Sequence, residues 1–250
     1  MNEDITLPRD RGLSYVGSSR IDGPLVVVER VHDVGFDEMV EILDPQGEPR
    51  LGRVLEISDT AAVIQVMEGT TGLSNQSVRV RFLGEPFQLP VSRRMLGRVF
   101  DGLGRPQDGG PPPLAVDRRD VNGMPINPNA REYPREFIQT GLSAIDGMNA
   151  LVRGQKLPIF SGNGLPHDRV CAQIVRYARL LDAEVEFSVV FAAMGVKHDV
   201  AQYFQRAFEE SGALARVAMF LSLANAPSVE RLLAPRLALT LAEHLAFDCG

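Results

Sequence analysis

The chain has 250 residues, 44% apolar and 23% charged, which supports a packed core and excludes a disordered or collagen-like protein. A net charge of −6 without a dense basic run argues against nucleic-acid binding. No apolar run approaches the roughly 18 residues that span a bilayer.

The opening stretch, MNEDITLPRDR, is charged and has no apolar signal core. Cys171 and Cys249 form no disulfide framework, which fits a reducing compartment and predicts a soluble cytoplasmic protein. Next come short runs rich in Val, Ile and Leu: 25-LVVVE-29, 39-MVEIL-43, 51-LGRVLEI-57, 61-AAVIQVM-67 and 77-SVRVRFL-83. Turn signals separate them at Asp44–Gly47, Ser58-Asp59 and Gly69–Gly72. Strands of this length and spacing predict an N-terminal antiparallel β-barrel over residues 1–83.

Residues 84–136 are punctuated by Gly and Pro, as in 101-DGLGRPQDGGPPPL-114 and 122-NGMPINPNARE-132. Met95, Leu96, Val99 and Phe100 are too apolar for a free linker, so this region is expected to wrap over a surface. The short basic runs Arg79–Arg81, Arg93-Arg94 and Arg118-Arg119 read as solvated surface.

From residue 137 the pattern alternates between strands and helices. A helix is predicted near 143-SAIDGMNAL-151 and a strand at 157-LPIFS-161. A helix follows whose apolar face carries Val170, Cys171, Ile174, Val175, Ala178 and Leu181, with Cys171 as a small core residue. The run 185-VEFSVVFAAMG-195 suits a strand buried on both faces. A second helix places Val200, Tyr203, Phe204, Ala207 and Phe208 on one stripe, and 216-RVAMFLSL-223 predicts another strand. The last helix opens near Ala226-Pro227, with Pro in its first turn, and runs toward Phe247 with a kink at Pro235. The fold class is thus a β-barrel followed, over 84–250, by a partial α/β domain with a parallel sheet. The chain stops where a further strand is expected, which suggests a fragment or a short variant.

The stretch 160-FSGNGLPHDRV-170 occupies the strand–loop–helix context of a phosphate loop, whose pattern is G-x-x-x-x-G-K-[ST]. In such a loop, amides and the helix N-terminus cradle phosphates, the Lys neutralises them and the hydroxyl ligates Mg²⁺. Here Ser161 takes the first Gly position, Gly162, Asn163, Gly164 and Leu165 follow, and Pro166 takes the second. His167 replaces the Lys and Asp168 the hydroxyl residue. Pro has no N–H, a histidine carries little charge at pH 7, and an aspartate repels phosphate. Asp168 instead suits an N-cap or first helical turn. Two readings stand: a capped turn with no ligand, or weak ATP or ADP binding through Gly162, Gly164 and the remaining amides. No metal-ligand spacing appears among His32, His167, His198 and His244, and no Cys/His pairing or other catalytic constellation is evident. Asp199 and Glu209-Glu210 read as helix-surface charges and Asp248 as a loose carboxylate.

Four stretches carry a resemblance: 91-VSRRMLGRVFDGLGRPQDGGPPP-113, 137-FIQTGLSAIDGMNALVRGQKLPIFSGNGLPHDRVCAQI-174, 189-VVFAAMG-195 and 234-APRLALTLAEHLAF-247. With them the chain resembles the non-catalytic B subunits of V/A-type rotary ATPases over nearly its whole length. The resemblance implies a barrel, a RecA-like nucleotide-binding domain and then a C-terminal helical domain that is absent here. It also implies that the family's Walker B carboxylate and interface arginine lie beyond residue 250. In catalytic relatives the motif resembling 190-VFAAMG-195 precedes a Glu that activates water. Here that position is Val196, which cannot act as a base. The implied partners are a catalytic A subunit in an alternating hexamer and the central and peripheral stalks. The implied location is cytoplasmic, peripheral to the membrane through the complex, with no direct membrane contact. The implied role couples ATP synthesis or hydrolysis to proton or sodium transport. An active P-loop motor of the same superfamily and a truncated, non-assembling product are the rivals.

Overall fold

Seven antiparallel strands use the alternating apolar positions of the first third. The computed structural model describes residues 13–43, 49–123, 125, 127–130, 133, 135–181 and 186–249. Within it the strands are β1 (Ser14–Val16), β2 (Arg20–Asp22), β3 (Leu25–Glu29), β4 (Glu38–Leu43), β5 (Pro49–Ile57), β6 (Ala61–Val66) and β7 (Arg79–Pro86). Their order is β1-β7-β4-β5-β6-β3-β2. Both ends of that order belong to one continuous stretch. Tyr15 pairs with Val80 on one side and Ile21 with Val26 on the other, so the chain from Ser14 to Asp22 closes the sheet into a barrel. Among the described residues, closure leaves no long unpaired edge. Val28, Val40, Ile42, Val54, Ile64, Val80 and Phe82 fill its interior. Five strands lie where alternation predicts them. β1 and β2 escape that test because they are three residues long and mostly exposed. The predicted turn at Asp44–Gly47 and the charged opening stretch fall outside the described residues.

The Gly- and Pro-rich region is more structured than a wrap. β8 (Gln88–Val91) pairs with β10 (Asp117–Asp120) as an antiparallel ribbon. Between them, β9 (Val99–Asp101) leaves the surface and joins the parallel sheet of the second domain. Phe100 is fully buried there. The loop after β9 is pinned by Asp108, whose Oδ1 accepts Arg98 Nη2 at 2.7 Å and the Gly110 amide at 3.0 Å. Its Oδ2 accepts Arg98 Nε and, at 3.3 Å, the Val99 amide. The Arg98 guanidinium holds the Asp108 carboxyl down to about 2, from an ordinary 3.8.

A folded-state value below the unfolded one stabilises the protein above the unfolded value and is lost as pH falls through the folded one. Asp108→Asn is therefore expected to cost about 1–2 kcal/mol at neutral pH, after discounting for solvent screening. The gap to the parent should close between about pH 4 and pH 2. Urea midpoints measured across that range check this.

The remaining elements are β11 (Phe137–Gln139), α1 (Ser143–Met148), β12 (Leu151–Val152), α2 (His167–Tyr177), β13 (Arg179–Leu180), β14 (Val189–Val196), α3 (His198–Glu210), β15 (Val217–Leu223) and α4 (Ser228–Phe247). The parallel sheet has the order β14-β15-β9. α4 covers one face, through Val229, Leu233, Leu237 and Leu241 on Phe100 and Phe220. α2 and α3 cover the other, through Val175, Phe204 and Phe208 on Val99, Val217 and Met219. The α4 side also packs on Met39 and Met67, so barrel and α/β layers share one core. Polar ties reinforce the junction. Arg105 pairs with Glu68, and Asn122 Nδ2 donates to Asp37 Oδ2.

Several expectations need correction. Leu157–Ser161 is not a strand, and Phe160 is 93% exposed. An apolar run becomes a strand only with a ladder partner, and Pro158 removes one donor besides. β14 is only half-buried, whereas β15, which lies between two neighbours, is the strand buried on both faces. α1 ends at Met148 because Leu151 is recruited to pair with Ile138. α2 ends at Tyr177, so Leu181 lies beyond it and is exposed. Ala201 replaces the partly exposed Tyr203 on the buried face of α3. Pro227 sits at the N-cap of α4 rather than inside its first turn.

Candidate functional site

The loop Ser161–Pro166 is exposed along its whole length. Gly164 adopts φ +83°, a left-handed conformation that glycine reaches without strain. The Leu165 amide donates to the Gly162 carbonyl at 3.3 Å, and the His167 amide donates to the Leu165 carbonyl at 2.9 Å. These bonds turn two loop amides inward, away from any ligand. Pro166 occupies the N-cap of α2 and makes no side-chain cap. Arg169 and Val170 donate back to its carbonyl at 3.1 and 3.3 Å.

His167 and Asp168 interact with each other and with the loop. The His167 Nδ1 lies 3.1 Å from the Leu165 carbonyl, which requires the proton on Nδ1. Its Nε2 lies 3.2 Å from Asp168 Oδ1, a contact that becomes a hydrogen bond only when the ring carries a proton on both nitrogens. Asp168 sits in the first turn of α2, favourable for the helix dipole, and is not the N-cap. A carboxylate at this helix start occupies the electrostatic niche that an incoming phosphate would need.

Val196 ends β14, pairing with Leu223 after an irregularity at Gly195, whose φ is +67°. It lies at the carboxyl edge of the parallel strands, where open α/β sheets place their ligands. No ionisable side chain stands at that position. Among the described residues no hydrogen bond or ion pair links Val196 to the loop.

The flanks of α2 hold polar devices that sequence reasoning passed over. Asp146 Oδ1 accepts the Thr140 amide at 2.8 Å and the Thr140 hydroxyl at 2.7 Å, while Oδ2 accepts the Gly141 amide at 3.0 Å. The Thr140 bonds and the amide of Gly141 hold the Asp146 carboxyl below its ordinary range. Gly141 has φ +78°, and a Cβ there would come within 2.8 Å of Tyr177 Cβ. Gln173 Nε2 ties its carbonyl to α2 at 3.0 Å. In the same C-terminal half, Arg216 donates to the carbonyls of Ala178, Val175 and Arg176 at 2.7, 3.0 and 2.9 Å, so a cation caps the negative end of the helix. Burial lowers the Arg216 pKa. The sequence signal for the first device was the carboxylate five residues after Gly141; Arg216 carried none.

Two cavities accompany these elements. One of about 470 Å³ is lined by Arg169, Gln173, Arg176, Tyr177 and Tyr203, along α2 rather than at its start. The other, of about 510 Å³, lies between the ribbon and the end of α4. No loop residue lines either. Asp199, Glu209 and Glu210 are exposed on α3. Asp248 is not loose: it bonds His244 at 2.9 Å and Arg119 at 2.9 Å. A Cys/His contact also exists, between Cys249 and His244. Cys171 is only half-buried, and its thiol is pushed up by burial and by Asp168. Among the described residues no cluster could hold a metal ion, and no helix is long and apolar enough to cross a membrane.

Comparison with known proteins finds matches over two parts of the chain. The family model for the beta-barrel domain of the ATP synthase alpha/beta family matches residues 18–84. The model for that family's nucleotide-binding domain matches residues 141–250. The B subunit of an A-type ATP synthase from Nitrosopumilus maritimus is 54% identical over 96% of this chain and 52% of its own length. A V-type ATP synthase beta chain from Halothermothrix orenii is 56% identical over 94% of this chain and 51% of its own. The B subunit of an A-type ATP synthase from Aeropyrum pernix is 58% identical over 94% and 50%. The chain spans about half the length of the curated relatives it matches.

Proposed function

The chain belongs to the ATP synthase alpha/beta family, and we propose that it contributes there as a non-catalytic, structural and regulatory B subunit. In this reading it alternates with a catalytic A subunit in a soluble hexamer, contacts the stalks, and helps couple ATP synthesis or hydrolysis to proton or sodium transport. The observation that carries the reading is the start of α2. There Pro166 offers no amide, and the His167–Asp168 pair fills the place of a Lys and a metal-binding hydroxyl. Val196, at the carboxyl edge of β14, offers no base for water. The relatives' names, as B subunits or a beta chain, point the same way.

The residues fit a nucleotide poorly. The outward amides of Gly162 and Gly164 would meet phosphate oxygens, while the Asp168 carboxylate opposes them. What the chain's own residues do in this role is hold shape. Gln173, through the Gly141 carbonyl, and Arg216, through the last carbonyls, hold the C-terminal half of α2, whose start presents Ser161–Pro166 as an exposed loop.

Co-expression with a catalytic A subunit is expected to yield a mixed oligomer of alternating chains by native mass spectrometry. The isolated chain is expected to show no ATP turnover, and hydrolysis on the order of 1 s⁻¹ would overturn the non-catalytic reading. A chain that stays monomeric while the catalytic partner assembles would overturn the assembly.

A further inference from the structure

We propose that Cys249 is a thiol-modification site, held as the nucleophile of a Cys–His–Asp arrangement at a cavity wall, with low-molecular-weight disulfides as its reaction partners. The site lies apart from the nucleotide loop and owes nothing to it.

His244 lies in the last turn of α4 and is only 5% exposed. Its Nδ1 is 2.9 Å from Asp248 Oδ2, and its Nε2 is 3.6 Å from Cys249 Sγ. A carboxylate can only accept, so Nδ1 carries the proton and Nε2 is left bare to take the thiol hydrogen. This is the orientation logic of a nucleophile, a base and a group that orients the base. Asp248 is itself fixed, because Arg119 Nη2 reaches the same Oδ2 at 2.9 Å while Arg119 Nε bonds Asp117 at 2.7 Å.

A simpler account is a helix C-cap, since His244 and Asp248 are four residues apart and the Asp248 amide bonds the His244 carbonyl at 3.0 Å. A cap explains the carboxylate on Nδ1. It does not explain a thiol on Nε2, nor the cavity of about 510 Å³ that His244, Cys249, Ser92, Arg93, Arg94 and Arg119 share. The same lining carries Arg93, Arg94, Arg119, Asp117 and Asp248, with Arg93 paired to Glu186 and Arg119 to both aspartates.

The step balances without another oxidant. His244 Nε2 takes the proton from Sγ, the thiolate attacks one sulfur of the disulfide, and the S–S bond breaks. The leaving thiolate takes the proton back from the imidazolium, giving a mixed disulfide and a free thiol. Cys171 is an internal control, because burial pushes its thiol up and the neighbouring charge is the Asp168 carboxylate rather than an arginine cluster.

The test exposes the native chain to oxidised glutathione and follows each cysteine by peptide mass spectrometry. Cys249 is expected to form the mixed disulfide at least about tenfold faster than Cys171, and about tenfold faster than Cys249 of the urea-unfolded chain. His244→Gln should lower the Cys249 rate by a similar factor. A native Cys249 rate equal to or below the unfolded rate overturns the proposal without any variant. So does a folded His244→Gln chain that reacts at the parent rate.

Discussion

Phe220→Ala is expected to cost about 3–5 kcal/mol, the range for emptying a large aromatic site in a packed core. Phe220 is fully buried on β15, the central strand of the parallel sheet. Its ring stacks on Phe100 with centroids 5.3 Å apart, so it joins β15 to β9 as well as to α4. Neighbouring strands fix the backbone, so the site has little freedom to collapse, and the cavity cost adds to the lost transfer energy. Set against a typical total of about 5–15 kcal/mol, this is a large fraction of the protein's stability. The urea midpoint should fall by more than about 1 M. Tyr203→Ala on the partly exposed side of α3 is the contrast and should cost far less. Equal losses for the two would show that the β9–β15–α4 core is not the stabilising centre.

Rebuilding the phosphate loop is expected to have the largest functional effect. The triple change Pro166→Gly, His167→Lys and Asp168→Thr restores an amide donor, adds a fixed positive charge and removes a negative one at the start of α2. Affinity for Mg·ATP, measured calorimetrically, should rise by about 100-fold, equivalent to about 2.7 kcal/mol. Hydrolysis should stay absent, because Val196 still supplies no base. Unchanged affinity would mean that the exposed loop lacks a phosphate-binding shape, and the degenerate-loop reading would fall with it.

The barrel was legible because Val78, Val80 and Phe82 alternate with arginines, and a period of two has few competing explanations. The helices α2 and α3 were legible from the 3.6-residue period for the same reason. Leu157–Ser161 misled, because composition reports apolar character and not whether a ladder partner exists. β9 was hidden for the opposite reason. Three residues among glycines and prolines carry no period, and only the long-range pairing with β15 makes them a strand. At the candidate site, the substitutions at Pro166, His167 and Asp168 could be read directly. The inward turn of the Leu165 and His167 amides, and the contact of His244 with Cys249, depend on backbone direction that no spacing rule encodes.

β9 sets an order of events. Val99 meets Met219 and Phe100 meets Phe220 across the ladder, with the whole intervening chain looped out. Pairings so distant in sequence close late and slowly, because the loop entropy is spent before the contacts form. During synthesis the barrel can close once β7 has emerged, whereas the aromatic residue Phe100 stays uncovered until β15 arrives. Between those two moments an uncovered aromatic surface favours aggregation.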